Sequence, residues 1–241
     1  CVGFDGLNAL YNVTFDMDKA ADTDYHPRFV EYLKSIQKSN VMVCGAMTDP
    51  KGDRSLPPAQ QEDPDQYLHV VSRQKDGIVI RGAKLHQTGG VNSHEILVMP
   101  TTALGEDDKD FAVACAVPSN ASGVTFIFGR QSNDMRKMAA QEIDMGNSEF
   151  GIVGGEALIV FEDVFVPMDR VFMLGETQFA GQLVEMFASY HRQNYGGCKG
   201  GVSDVIVGAT AAIADFHSLT KASHVRDKIT EMLHLAETLF C

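Results

Sequence analysis

His191 and Cys198 stand seven residues apart in the segment His191-Arg-Gln-Asn-Tyr-Gly-Gly-Cys-Lys-Gly-Gly201, with Tyr195 between them and Lys199 beside the cysteine. In an α-helix seven residues make nearly two turns, so both side chains project from one face, roughly 10 Å apart along the axis. That span is long for a single zinc ion on an undistorted helix, and a larger inorganic cluster bridges more of it. Gly196 and Gly197 could let the helix loosen or bulge locally. Imidazole and thiolate suit iron and zinc alike, so spacing leaves the metal open. Glycine costs a helix interior about 1 kcal/mol relative to alanine. Four glycines within six residues (Gly196, Gly197, Gly200 and Gly201) therefore imply that something approaches the backbone closely. Without metal chemistry, His191 would cap or pack within a helical bundle and Cys198 would be a small core residue.

Three further segments carry reactive or binding groups. Cys44-Gly-Ala-Met-Thr-Asp-Pro-Lys-Gly-Asp-Arg-Ser55 follows a strand and is built as a turn around Pro50 and Gly52. Its Thr48, Lys51, Asp53, Arg54 and Ser55, with the backbone amides, can meet a ring carbonyl or a phosphate. A solvated charged turn reads the same way. In His86-Gln-Thr-Gly-Gly90 the paired glycines admit a flat ligand and Thr88 supplies a hydroxyl and an amide, although hairpin turns look similar. Gly151-Ile-Val-Gly-Gly-Glu156 leads into an apolar strand. A carboxylate at such an edge, Glu156, can have a raised pKa and act as acid or base, or can simply be an exposed strand-start residue.

The elements that must position these groups follow from periodicity. Residues 1–40 read as helical, with Phe29, Tyr32, Leu33 and Ile36 on one stripe. Residues 41–172 read as strands (Val41–Ala46, Tyr67–Ser72, Gly77–Arg81, Glu95–Met99, Phe111–Val117, Val124–Phe128 and Ala157–Val166) punctuated by Gly, Pro, Asn and Asp, the pattern of an antiparallel β domain. From about residue 176 the period is helical again. Phe179, Leu183, Met186, Phe187 and Tyr190 share one face, and Val202, Val205, Ile206, Ala209, Ile213 and Phe216 share the next. A further helix carries Val225, Ile229, Met232, Leu233, Leu239 and Phe240. The plan is α+β, with a helical bundle at the C-terminal side.

Composition bounds the partners. Apolar residues are 44% and charged residues 22% of the 241, an ordinary globular balance. A net charge of −12 argues against a general nucleic-acid or membrane surface. The longest apolar runs fall far short of the roughly 20 residues that cross a bilayer, and no secretory signal is visible, so a cytoplasmic protein is expected. Cys1 in place of Met, and Cys241 inside a helical pattern, suggest an internal fragment of a longer protein. The odd, widely spaced set Cys1, Cys44, Cys115, Cys198 and Cys241 is no disulfide framework. Cys44 and Cys115, inside apolar runs, are expected to be buried reduced thiols; Cys1 and Cys198, in polar glycine-containing surroundings, are not.

Together these segments resemble the 4-hydroxyphenylacetate 3-monooxygenase family and, within it, the 4-hydroxybutyryl-CoA dehydratase branch. The wider fold is similar to acyl-CoA dehydrogenases, and Phe161-Glu-Asp-Val-Phe-Val-Pro167 resembles the strand that precedes their C-terminal bundle. The resemblance implies the end of an N-terminal helical domain over 1–40, a middle antiparallel β-barrel domain that binds flavin over 41–172, and the first part of a cluster-binding helical bundle over 173–241. It implies a [4Fe–4S] cluster held by Cys1, His191 and Cys198 with one ligand outside the chain. It implies FAD contacts from Met47, Thr48, Lys51, Asp53, Arg54, Gln87, Thr88 and Gly89, and catalytic roles for His191, Tyr195, Lys199 and Glu156.

The implied activity is dehydration of 4-hydroxybutyryl-CoA to crotonyl-CoA by a flavin radical route, with the cluster as Lewis acid and with vinylacetyl-CoA Δ-isomerase activity, in a homotetramer that shares flavin sites between subunits. The alternative is a flavin-dependent aromatic hydroxylase of the same family, which would keep the flavin segments but has no use for Cys1 or the His191/Cys198 pair. A non-enzymatic scaffold that inherited the fold is the third reading.

Overall fold

The computed structural model describes residues 2–128 and 156–241, with Tyr195 described by its backbone alone. The described chain divides into two units, Val2–Phe187 and Ala188–Cys241.

In the first unit, helix α1 (Val2–Ala21) buries Leu7, Leu10, Val13 and Met17, an apolar stripe at helical spacing. It begins hard against strand β1 (Val43–Ala46): a Cβ on Gly3 would sit 2.0 Å from the Val43 carbonyl oxygen. The chain turns at Asp22, whose φ is 51°, and enters α2 (Tyr25–Lys38). The Asp18 carboxylate, still on α1, accepts the amides of Tyr25 and His26 at 2.9 and 2.7 Å and so caps α2 from the preceding helix. α2 buries Tyr25, Phe29, Tyr32 and Ile36, whereas Leu33, expected in that stripe, is half-buried. The Phe29 ring meets Phe172 edge-on at 5.1 Å, which seats α2 on strand β8 (Val171–Leu174).

The remaining strands are β2 (His69–Arg73), β3 (Gly77–Gln87), β4 (Glu95–Val98), β5 (Val113–Pro118), β6 (Val124–Ile127) and β7 (Ala157–Pro167). They form two four-stranded sheets, ordered β1-β4-β5-β8 and β2-β3-β7-β6. Inward residues of both sheets make one core: Ile96, Val98, Val113, Cys115 and Val117 against Ile78, Ile80, Ile159, Phe161, Val164 and Val166. Each large apolar side chain fully buried there contributes about 1.5–3 kcal/mol.

Two expectations are corrected. Among the described residues the strands form two open sheets rather than a closed barrel, and β1 pairs with β4 in parallel, so the unit is not wholly antiparallel. Strand β3 also runs six residues past its expected end at Arg81. Gly82, which reads as a stop, instead takes φ 125° at a bulge where a Cβ would meet the Tyr67 carbonyl oxygen at 2.5 Å. The short strand β8 was not foreseen at all.

Helix α3 (Thr177–Phe216) is continuous for 40 residues, where periodicity suggests two helices. It passes through Gly196, Gly197, Gly200 and Gly201 without the anticipated loosening. No proline interrupts it, and long helical flanks carry the four glycines. In the second unit, α4 (Ser223–Phe240) follows a turn with Ser218 at φ 55°. Val205, Ile206, Ile213 and Phe216 of α3 and Leu233, Leu239 and Phe240 of α4, expected to line a bundle, are exposed within this chain.

Candidate functional site

The loop leaving β1 is held from inside the protein by side chains that its own sequence does not contain. Lys84 on β3 is 2% exposed and donates to the Met47 carbonyl at 2.9 Å, the Met99 carbonyl at 2.9 Å and Asp49 Oδ1 at 2.6 Å. Thr101 adds to the same anchor, donating its hydroxyl to the Met47 carbonyl and accepting the Asp49 amide at 3.1 Å. The Thr48 carbonyl accepts the Leu85 amide at 2.8 Å and Gln87 Nε2 at 3.1 Å. Further along, buried Gln61 accepts the Asp53 amide at 2.9 Å and donates to the carbonyls of Asp53 and Leu56 at 2.9 and 3.1 Å. A Cβ on Gly52 would lie 2.2 Å from Gln61 Oε1, so this clasp requires glycine.

With its inner face so occupied, the loop leaves Lys51, Asp53 and Arg54 exposed and Thr48 half-buried; Met47 itself is buried. Asp53 accepts the Ser55 amide and hydroxyl at 2.9 and 2.6 Å, and those bonds hold its carboxyl below the ordinary value.

The same edge receives the second and third predicted segments. Gln87 closes β3, buried and bonded to the Thr48 and Leu85 carbonyls. His86 (φ 56°), inside β3 just before Gln87, and Gly89 (φ 75°), just after it, bend the chain; Thr88 is exposed, and no described residue comes within 4 Å of where a Gly89 Cβ would stand. Ala157 is in register with Gln87, so Glu156, exposed and one residue before β7, emerges beside the turn. Gly151–Gly155 lie outside the described residues. The structure thus brings together Met47, Thr48, Gln87, Thr88, Gly89 and Glu156 at one sheet end, with Lys51, Asp53 and Arg54 on the adjoining loop.

On α3 the unbroken helix keeps His191, Cys198 and the backbone position of Tyr195 on one face. His191 is half-buried, while Cys198 and Lys199 are exposed, so Cys198 is not a core residue. Among the described residues, a Cβ at Gly196, Gly197, Gly200 or Gly201 would meet no atom within 4 Å, so none of them accounts for the missing side chains. Cys1 lies outside the described residues, and among the described residues no three His, Cys, Asp or Glu side chains gather as a metal set. Cys44 and Cys115 are buried as expected; burial raises the Cys44 thiol and pushes that of Cys115 up to about 12, so both stay protonated.

Sequence reasoning missed Lys84, Gln61 and Thr101. The signal for Lys84 was parity: it continues the inward positions Ile78, Ile80 and Gly82, a charged residue where an aliphatic one is due. Ending the strand at Arg81 hid it.

The N-terminal model of the 4-hydroxyphenylacetate 3-hydroxylase family matches residues 1–173, and its C-terminal model matches residues 180–241. The chain belongs to this family. It is 56% identical over 242 aligned residues to the 4-hydroxybutyryl-CoA dehydratase/vinylacetyl-CoA-Δ-isomerase of Clostridium aminobutyricum, covering 100% of this chain and 49% of that relative. Among solved structures it superposes on an oxygen-tolerant archaeal 4-hydroxybutyryl-CoA dehydratase from N. maritimus with a TM-score of 0.94 at 52% identity, over 100% of this chain and 47% of that one.

More distantly it shares the fold of the oxygenase component of 4-hydroxyphenylacetate 3-monooxygenase complexed with FAD (TM-score 0.77, 24% identity, 98% of this chain and 50% of that one). It also shares the fold of an acyl-CoA dehydrogenase from Geobacillus kaustophilus (TM-score 0.60, 14% identity, 93% and 53%). The expected mixed helix-and-sheet, acyl-CoA dehydrogenase-like plan is therefore correct. The chain spans about half the length of the curated relative it matches.

Proposed function

We propose that this chain forms part of an enzyme that dehydrates 4-hydroxybutyryl-CoA to crotonyl-CoA and also isomerises vinylacetyl-CoA. The observation that carries the proposal is the 56% identity over an alignment that spans the whole chain. The three segments 1–40, 41–172 and 173–241 are taken as the end of a helical domain, a flavin-binding β domain and the start of a cluster-binding bundle. A homotetramer in the cytoplasm completes the reading.

The residues present fit FAD at the end of β3. The open space at Gly89 accepts a flat ring, Thr48 and Thr88 offer hydroxyls and amides, and the exposed Lys51 and Arg54 offer cations to a pyrophosphate. Met47, Asp53 and Gln87 shape that edge through the backbone. A [4Fe–4S] cluster needs four ligands, of which this chain supplies Cys1, His191 and Cys198. The solvent-accessible Cys198 and the shared helix face with His191 suit that use, as does the glycine run, which lets a bulky group approach the backbone. When bound, FAD would take up and return one electron while the cluster polarised the departing hydroxyl.

The chain's own groups manage protons and charge. Glu156, at the flavin edge, relays a proton at its carboxylate oxygen, and His191, when it is released from its ligand role, would accept one at the imidazole nitrogen so freed. Tyr195 and Lys199 donate hydrogen bonds to negative charge that develops on the thioester oxygen. The family's aromatic hydroxylases need no such Cys198.

Crotonyl-CoA formation by the full-length protein under anaerobic conditions tests the proposal. Activity and iron content lost together in Cys198→Ala are expected; a fully active, iron-free Cys198→Ala protein refutes it.

A further inference from the structure

We infer that Lys84 is the positioning residue of the FAD site: from within the core it sets both the backbone path and the net charge of the Met47–Asp49 loop that receives the cofactor. The inference rests on the flavin reading above.

Lys84 occupies an inward slot of β3 that an aliphatic side chain would fill without desolvating an ion. Each of its three N–H groups has a partner, and two of those partners mark one structural event. Strands β1 and β4 run parallel with Ala46 opposite Val98, so Met47 and Met99 are the residues at which that ladder ends. A single ammonium group holds both carbonyls, at 2.9 Å each, and thereby fixes where the loop leaves the sheet. With Met47 turned inward, the Thr48 carbonyl meets Leu85 and Gln87, which joins the loop to the Gln87–Gly89 turn. The third partner is the Asp49 carboxylate at 2.6 Å. Pairing it with Lys84 cancels an anion that would otherwise stand on the loop proposed to receive a pyrophosphate-bearing ligand. Lys51 and Arg54, exposed a few residues on with the ionised Asp53 between them, then leave the loop with a net positive charge. Lys84 does all this from a buried position, through Met47, Thr48 and Asp49.

The test is FAD affinity, read by flavin fluorescence quenching on the full-length protein freed of flavin and retitrated with FAD. Lys84→Met is expected to weaken binding by about tenfold or more, equivalent to about 1.4 kcal/mol, with an unchanged far-ultraviolet circular dichroism spectrum. Adding Asp49→Asn to Lys84→Met is expected to recover part of that loss, because it removes the stranded carboxylate, and no purely volumetric role for Lys84 predicts such a recovery. Wild-type affinity in Lys84→Met, or no recovery on adding Asp49→Asn, overturns the inference while leaving the flavin reading intact. A wild-type protein that takes up no FAD overturns both. Should Lys84→Met fail to fold, Thr101→Val carries the test, since it removes one contact to Met47 and one to Asp49 from a half-buried site. Binding about threefold weaker supports the inference, on the scale of one lost hydrogen bond, and unchanged binding overturns it.

Discussion

Replacing Gly197 and Gly201 with alanine should make α3 more stable in this chain. Both lie inside an unbroken 40-residue helix, both are exposed, and a Cβ built on either meets no atom within 4 Å. The methyl groups therefore create no clash among the described residues, while each substitution removes the backbone-entropy penalty of helical glycine, about 1 kcal/mol. The two sites are one helical turn apart and share no partner, so the gains add to about 2 kcal/mol. Amide hydrogen exchange is the direct assay. For amides that exchange by local opening of α3, about 2 kcal/mol slows exchange about thirtyfold. On the proposed function, the same double variant in the full-length protein should lose the proposed dehydratase activity, because the added methyl groups would obstruct the close approach of a cluster to the backbone. Unchanged or faster exchange in residues 195–205 would refute the reasoning, since it would mean that a group within this chain already packs against the glycines.

Cys115, with its thiol pushed from about 9 up to about 12 by burial, makes stability pH-dependent in a defined window. The unfolded thiol ionises near its ordinary value while the folded one does not. The contribution is therefore complete below about pH 9 and is lost at up to about 1.4 kcal/mol per pH unit as pH climbs towards 12. Urea unfolding at about pH 8 and about pH 10.5 should show a fall about 2 kcal/mol larger in the wild type than in Cys115→Ala; equal falls would exclude the thiol as the cause. Gln61→Leu keeps approximate volume but strands the Asp53 amide and the Asp53 and Leu56 carbonyls. These groups lie on a partly exposed loop where water can reach them, so the cost is about 0.5–1.5 kcal/mol for each hydrogen bond lost. Limited tryptic cleavage after Lys51 and Arg54 should accelerate accordingly, and an unchanged rate would show that Gln61 does not hold the loop.

Much of this molecule is readable from local pattern. The stripe Phe29, Tyr32 and Ile36 marks α2, the run Ala157–Val166 marks β7 to within one residue, and the burial of Cys44 and Cys115 follows from their apolar neighbours. The reading failed where a residue serves a partner distant in sequence. Gly82 looks like a strand end but answers to the backbone of Tyr67, 15 residues earlier. The parallel pairing of β1 with β4 leaves no mark on either strand, because a four-residue apolar run is equally suited to both directions.

The sequence by itself determined the order of helices and strands and the chemical types available: one imidazole and one thiol at helical spacing, a cationic turn after a strand, and a carboxylate ahead of another. Those properties depend on neighbours within a few residues. Only the tertiary structure decided that the cationic turn, the Gln87–Gly89 turn and Glu156 share one edge, and that Lys84 reaches across 37 residues to Met47 and 15 to Met99 to hold the first of them in place. An ammonium buried in a core is tolerable only where several oxygens converge on it, and that convergence is a property of packed sheets, not of any one strand.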